Sequence, residues 1–546
     1  MAWEQVYDPL NNFVLSTLVA SIPVVVLLGT LAVFRVSAHW AALMGLAAAL
    51  TVSISIFGMP AKIALATAIY GAAFGLLPIG WIILHVIFLY HLTKEKGEFT
   101  VLQHSLTGIT QDSRLQLILI AFAFGAFFEG VAGFGTPVAV TSAILIGLGF
   151  APLQASGLSL IANTAPVAFA ALGIPIITLA AVTDLDVLAL SAMAGRQLAL
   201  FSILIPFWLV WVFAGFRGML EVWPAILIAG ISFAVPQVLV SNLHGPWLVG
   251  IVSSVCSMAV TTIFLLYWHP RHIWGLNGYD SEASARGSHG YSTGQIVRAW
   301  LPWVILSLLV FIWGLPPVKA FLDGIFSAKI AVPNLDGVVV RVPPVVSAPT
   351  AEPAVFSFNL LTTTGSAILM AAVISGLFMG YSLRDLVRVY FQTIKSIRFS
   401  LLTIAAMLSL GFTTRYSGLD ATLGITFAMT GPMYPFFGTL LGWIGVALTG
   451  SDTASNVLFG SLQRISSEQL GLSSTLMASA NSTGGVMGKM IDAQSIVVAS
   501  TATQWYGHEG DILRYVFFHS IVLAVLVGVL VLLMAYVPPF TYLVVE

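Results

Sequence analysis

Thr449-Gly450-Ser451-Asp452-Thr453-Ala454-Ser455-Asn456 interrupts an otherwise apolar stretch running from 434 to 464. Six of these eight side chains are polar, and Asp452 is ionisable. An ionisable residue at membrane depth costs about 2.5–3.5 kcal/mol or more, so it marks a functional site unless it pairs. The same residues also suit the start of a helix, where an Asp can cap the chain from Thr453 onward. A second apolar stretch, 117–150, carries a matching break: Glu129-Gly130-Val131-Ala132-Gly133-Phe134-Gly135-Thr136-Pro137. Its glycines and proline stop both flanking helices and free backbone groups, which survive in a bilayer only where protein or water satisfies them. We read 117–150 and 434–464 as re-entrant helical hairpins.

The rest of the chain fixes the solvent. Of 546 residues, 58% are hydrophobic and 8% charged, against roughly 25% charged in soluble domains. Mean hydropathy is +0.98. Apolar runs of about 20 residues, enough for a ~30 Å hydrocarbon core, recur throughout. They lack the alternation of barrel strands, so the chain is an all-α integral membrane protein. Full spans are expected at 13–34, 39–58, 62–92, 156–182, 197–213, 222–240, 247–267, 299–314, 359–379, 399–414, 472–500 and 514–537, which makes about 12 transmembrane helices. The acidic N-terminus, with Glu4 and Asp8, is not that of a cleaved signal peptide. A net charge of −1 gives no sign of a nucleic-acid partner, and the lone Cys256 rules out an internal disulfide or cysteine metal cluster.

Basic residues test the topology. Arg35, Lys94, Lys96, Arg114, Arg217, Arg271, Arg286, Arg298, Arg384, Arg388, Lys395 and Arg398 all fall on one face if both hairpins are re-entrant. That face is cytoplasmic, which puts both termini and the 315–358 loop outside. A weak internal repeat agrees: Asn163 follows Gly130 by 33 residues, and Asn481 follows Gly450 by 31. The chain then divides into inverted repeats 1–217 and 299–546, joined by 218–298 with its helix pair and cytoplasmic loop.

Asn163-Thr164-Ala165-Pro166 and Asn481-Ser482-Thr483-Gly484-Gly485 each break a long span. Two such breaks facing two hairpin tips enclose one midplane cavity. A helix start near Pro137 directs its positive end there, and a carboxylate is its natural ligand. The candidate substrate-binding residues are Gly133, Gly135, Thr136, Asn163, Thr164, Ser451, Thr453, Ser455, Asn456, Asn481, Ser482, Thr483 and Lys489. The last stands three residues from Asp492, the spacing of a helical ion pair. Asp452, Glu129 and His85 are the candidate proton carriers. His85 and the breaks also fit simple packing roles, and Arg196 at a span start fits snorkelling to the interface. No P-loop, metal cluster or nucleophile–base spacing is present, so neither an ATP-driven pump, an enzyme nor a cofactor is expected.

These motifs resemble the bacterial lactate permease family. The resemblance rests on Glu129 to Pro137, Asn163-Thr-Ala-Pro-Val-Ala-Phe169, Gly195-Arg-Gln197, Thr449 to Asn456 and Asn481 to Lys489. Tyr7-Asp-Pro9, Gly290 to Gln295 with Arg298-Ala-Trp300, and Pro343 to Val346 extend it over nearly the whole chain. It implies proton-coupled symport of L-lactate, D-lactate or glycolate across a bacterial cytoplasmic membrane, on an ion-transporter-like, elevator-type fold. Sodium coupling is the same-class alternative. The Asn-Thr pairs resemble the Ser-Asn-Thr signatures of dicarboxylate carriers without the leading serine. Asp492-Ala493 stands where the family pattern has Ser-Pro, adding a charge beside Lys489. A non-transporting receptor for hydroxy acids would need a soluble signalling domain, and the longest hydrophilic segments are about 30–45 residues, short of a domain. The pair 222–267 and arm-like segments near 97–114 and 416–432 fit either a monomer's scaffold or a homodimer face.

Overall fold

The computed structural model describes residues 2–545 apart from 33, 35, 108, 132, 134, 135, 276, 277, 280–290, 347, 506 and 507. Among these, eight helices are long and apolar enough to cross a membrane, or nine if the bent pair Pro152–Ala162 and Val167–Thr183 counts as one. The expected first, second and ninth spans are shorter apolar helices, Phe13–Leu27, His39–Ser55 and Thr364–Phe378. Ala61–Glu95 is a single helical run kinked at 75–80, where Leu77 leaves helical geometry beside Pro78.

Two helices outrun their apolar segments. Val187–Glu221 and Leu383–Ser417 each have 35 residues, where 197–213 and 399–414 were expected. At 1.5 Å per residue Leu383–Ser417 is about 50 Å long, well beyond a ~30 Å core, whereas Val187–Glu221 breaks at Gly215, whose φ of 70° and ψ of 177° leave helical geometry. Arg384, Arg388, Lys395 and Arg398 end the apolar run of the second helix without ending the helix, because long charged side chains are good helix formers. Its start is set by Ser382, whose hydroxyl accepts from Asp385 N at 3.2 Å and donates to the Asp385 carboxylate at 2.6 Å. That hydroxyl holds the Asp385 carboxyl below its ordinary range.

One order of elements occurs twice. Paired arms Ser113–Val131 and Thr136–Gly147 are followed by the bent pair 152–183 and then by Val187–Glu221. Paired arms Tyr434–Thr449 and Asp452–Gln469 are followed by Ser474–Gly488 with Ala493–Ala502 and then by Glu509–Tyr536. Small residues bring these layers backbone to backbone. A Cβ at Gly442 would overlap the Asn481 carbonyl, so the second hairpin lies directly on its broken helix.

The 315–358 loop is folded. Ala328–Ala331 pairs antiparallel with Val355–Phe358. Val339–Arg341 sits between Trp3–Glu4, parallel to it, and Thr350–Ala351, antiparallel. The N-terminus and this loop therefore share one face of the molecule.

Candidate functional site

The two hairpin tips meet. Glu129 and Gly133 from the first and Thr449 to Ala454 from the second line one cavity of about 180 Å³. Val167, Ala170, Ala171, Ile174 and Pro175 of the first broken helix form another wall, and Lys489 reaches it from the second. The remaining wall is the long helix 383–417, through Ser400, Thr403, Ile404, Met407 and Leu408. Sequence reading missed this wall. Its polar residues sit singly in an apolar run and carry no break signal.

The first broken helix opens more widely than its Asn163–Pro166 signal indicates. Ala171 and Leu172 have φ of 44° and 61°, and Gly173 has φ of 80°. Three consecutive left-handed residues, two of them with side chains, are a strained arrangement typical of functional sites. The apolar sequence Ala170-Ala171-Leu172-Gly173 gives no warning of it. A Cβ on Gly133 would lie 3.5 Å from that of Ala171, so the first hairpin tip rests on this turn.

At the second tip Gly450 takes φ of 72° and ends the first arm. Ser451, not Asp452, is the N-cap of the second arm and accepts from Ala454 N at 3.2 Å. This releases Asp452 from capping. Its Oδ2 accepts from the Ser482 hydroxyl, while Oδ1 is buried without a partner. Lys489 Nζ donates to the Gly450 carbonyl at 2.6 Å and stands 3.4 Å from Asp492. The i, i+3 pair is therefore formed, and Lys489 ties the broken helix to the hairpin tip.

The two asparagines are not equivalent, and the second marks no break. Asn481 to Gly485 lies inside helix Ser474–Gly488, and the chain leaves helical form only at Lys489 to Asp492, ahead of Ala493–Ala502, because Asn, Ser, Thr and Gly are tolerated in a helix whose neighbours pack closely on them. Asn481 Nδ2 donates to Asn456 Oδ1 at 2.9 Å, and Asn481 Oδ1 accepts from Gln463 Nε2 at 3.2 Å. Asn456 Nδ2 in turn donates to the Pro175 carbonyl at 3.1 Å, linking the second hairpin to the first broken helix. Ser455 donates to the Gly442 carbonyl and Thr483 to Gln197 Oε1. These polar groups are spent on each other. Asn163 is buried facing the Glu129 carboxyl, and neither its amide atoms nor Glu129 Oε2 come within reach of a well-aligned hydrogen-bond partner. The polar neighbours of Glu129 include Lys489, Asn163 and Asp492. Leaving a buried amide unsatisfied costs about 1–3 kcal/mol, so Asn163 beside Glu129 is a polar position with hydrogen-bonding capacity to spare.

The remaining predicted residues divide between the cavity and other surroundings. Thr164 donates to the Ile161 carbonyl at 2.8 Å and closes its own helix end. Thr453 lines the cavity. His85 is buried away from it, 3.1 Å from the Tyr390 hydroxyl and edge-on to Trp81. Arg196 binds Asn242 and the Leu543 carbonyl rather than pointing free. Gly135 and the Thr136 side chain lie outside the described residues. The helix expected near Pro137 begins at Thr136.

Comparisons with known proteins bear on this geometry. The family described as L-lactate permease matches residues 16–538. The glycolate permease GlcA of Escherichia coli (strain K12) is 45% identical over 552 residues, covering 98% of this chain and 99% of its own. The L-lactate permease of Salmonella typhi is 44% identical over 542 residues, covering 98% of each. Among solved structures, MtrF of Neisseria gonorrhoeae, described with a class of antimetabolite efflux pumps, superposes with a TM-score of 0.50. That match covers 93% of this chain and 97% of the other at 12% identity, and so speaks to the fold alone.

Proposed function

The chain belongs to the L-lactate permease family, and from that premise we propose that it is a secondary active transporter carrying lactate and related 2-hydroxy monocarboxylates, such as glycolate, with protons across the bacterial cytoplasmic membrane. The observation that carries this reading is the single cavity between the two hairpin tips, holding Glu129, Asp452 and Lys489.

Charge balance supports proton coupling. Among the described lining residues Lys489 is the one cation, and Asp492 already opposes it. Glu129 and Asp452 add two carboxyl groups. A substrate carboxylate entering beside two ionised carboxylates is repelled in a low-dielectric site. When Asp452 or Glu129 holds a proton, the incoming anion meets a neutral donor. Anion and proton then cross as a neutral set, which removes most of the desolvation cost of moving a bare charge. Asn163 lies behind the lining, beside Glu129, where its amide can meet the substrate when Glu129 turns from it. Ala170 and Ala171, at the start of the left-handed turn, bring the backbone of the first broken helix to the cavity wall.

The twofold order of hairpin, broken helix and long helix supports reading 1–217 and 299–546 as inverted repeats. In that reading the hairpins are re-entrant and travel with the broken helices as an elevator unit. Both termini lie outside, together with the 328–358 strands.

The test is counterflow with purified protein in liposomes, comparing L-lactate, D-lactate, glycolate and pyruvate, with sodium replaced by potassium. Exchange of the hydroxy acids without sodium is expected. Exchange that needs sodium refutes proton coupling, and no exchange of any of the four refutes the transport reading.

A further inference from the structure

A second polar cavity lies along two of the same helices. Ala170, Ala171, Ile174 and Pro175 of the first broken helix line the central cavity, and Ile177, Ala180, Ala181 and Asp184 line the second. On the long helix, Leu408 faces the first and Phe412, Arg415 and Tyr416 the second. Four residues separate Leu408 from Phe412, about 6 Å of helix rise. The second cavity, of about 440 Å³, is roofed by Pro353 and Val355 of the folded loop. It is thus a vestibule one helical turn from the central cavity, on the face that carries the N-terminus and the loop strands.

Arg415 is the vestibule's buried cation. It is 7% exposed. Its Nη1 donates to the Ala181 carbonyl at 3.2 Å. Nη2 stands 3.2 Å from Glu352 Oε2 and 3.4 Å from Asp184 Oδ2, and Nε is buried without a partner. Glu352 is shared with Arg341, and the buried Asp420 also stands within electrostatic reach of Arg341 and Arg415, so the two cations face three carboxyl groups, of which Asp184 is the exposed one. Asp186, the other acidic residue of the wall, caps a helix by accepting from Ala189 N.

The partners of Arg415 differ in kind. Glu352 is buried, whereas the Asp184 side chain is 59% exposed and makes the longer contact. Asp184 is a tethered carboxylate on the edge of a buried guanidinium, and its presence shows that the position accepts one. A free carboxylate can replace it there without leaving an unbalanced buried charge. The planar fork of Arg suits a carboxylate better than a point charge would. Beside it Ile177, Phe412 and Trp247 offer apolar surface for a short alkyl chain.

We propose that Arg415 forms a vestibular capture site for small monocarboxylates, in which the substrate displaces Asp184 before passing the Phe412 turn to the central cavity. The proposal rests on the transport reading above.

The test uses the full chain in intact cells, measuring initial rates of L-lactate uptake, with equilibrium binding by the purified protein as a second readout. Asp184→Asn is compatible with the backbone, since φ at 184 is 60° and Asn tolerates that region. Removing this exposed competitor should raise kcat/KM about twofold to fivefold, the range spanned by partly exposed ion pairs. Arg415→Gln should lower kcat/KM by about tenfold or more, as loss of a steering charge does, while maximal uptake per folded molecule stays within about twofold. Asp184→Asn with kcat/KM unchanged or reduced overturns the capture site, even if Arg415→Gln fails to fold. Wild-type protein that takes up no lactate removes the transport reading and the capture site together. Wild-type uptake with unaltered variants removes the capture site alone.

Discussion

Alanine at Gly485 is predicted to disable transport through Asp452 rather than through the fold. A Cβ at 485 would lie 2.5 Å from Asp452 Oδ1 and 2.8 Å from Val446 Cγ2, both closer than real Cβ contacts come. Val446 can rotate, and so can the Asp452 carboxyl, but its present posture is the one that accepts from the Ser482 hydroxyl. To make room, Asp452 must turn away and lose that hydrogen bond. A hydrogen bond to an ionised group contributes about 1.5–3 kcal/mol, equivalent to roughly ten- to 150-fold. Uptake driven by a pH gradient should fall by that factor in Gly485→Ala proteoliposomes. The double variant Gly485→Ala with Val446→Ala relieves only the second overlap and should remain as impaired. Uptake by Gly485→Ala within about twofold of wild type would refute the inference that this posture of Asp452 matters to transport.

The two asparagines should separate binding from stability. Asn163→Ala should weaken lactate binding by about fivefold or more, with thermal unfolding nearly unchanged, because its amide has no well-aligned protein partner to abandon. Asn481→Ala should instead lower thermal stability by about 2–4 kcal/mol, since Asn456 and Gln463 lose their shared partner; scanning fluorimetry with a parallel binding titration distinguishes the two. Lys489→Ala should destabilise by about 3–5 kcal/mol through the abandoned Asp492 and Gly450 carbonyl, and adding Asp492→Ala should recover much of that loss. His85→Phe should leave the pH dependence of uptake unaltered, because the ring packs on Trp81 and Tyr390 away from the cavity.

What was legible in the sequence was whatever violates the apolar pattern. The Gly450 and Glu129-Gly130 breaks, the Asn163 and Asn481 positions, and the Lys489–Asp492 spacing stand out because polar or helix-stopping residues are costly in lipid. All of them fall in or beside one site. What stayed hidden obeys the pattern. The left-handed turn at Ala171 to Gly173 is written entirely in small and apolar residues. The wall from Ser400 to Leu408 reads as an ordinary span. Helix ends at 187, 221 and 383 were lost because hydropathy reports the extent of lipid contact, not the extent of helical hydrogen bonding. The distinct states of Asn163 and Asn481 depend on Gln463 and Asn456, which reach Asn481 only through tertiary packing. Likewise the capping choice at the second tip turned on backbone geometry: Ser451 takes the extended conformation of a cap, and Asp452 is left free.

Proton coupling through Asp452 is the central claim, and one comparison tests it most directly. Wild type and Asp452→Asn are reconstituted into liposomes, and lactate exchange at equal pH is measured beside accumulation driven by an inward pH gradient. Asn keeps the shape and a hydrogen-bonding group for Ser482 but cannot exchange a proton. The account predicts that Asp452→Asn still exchanges lactate across the membrane and no longer accumulates it against a gradient. Accumulation equal to that of wild type, driven by the same pH difference, would contradict it.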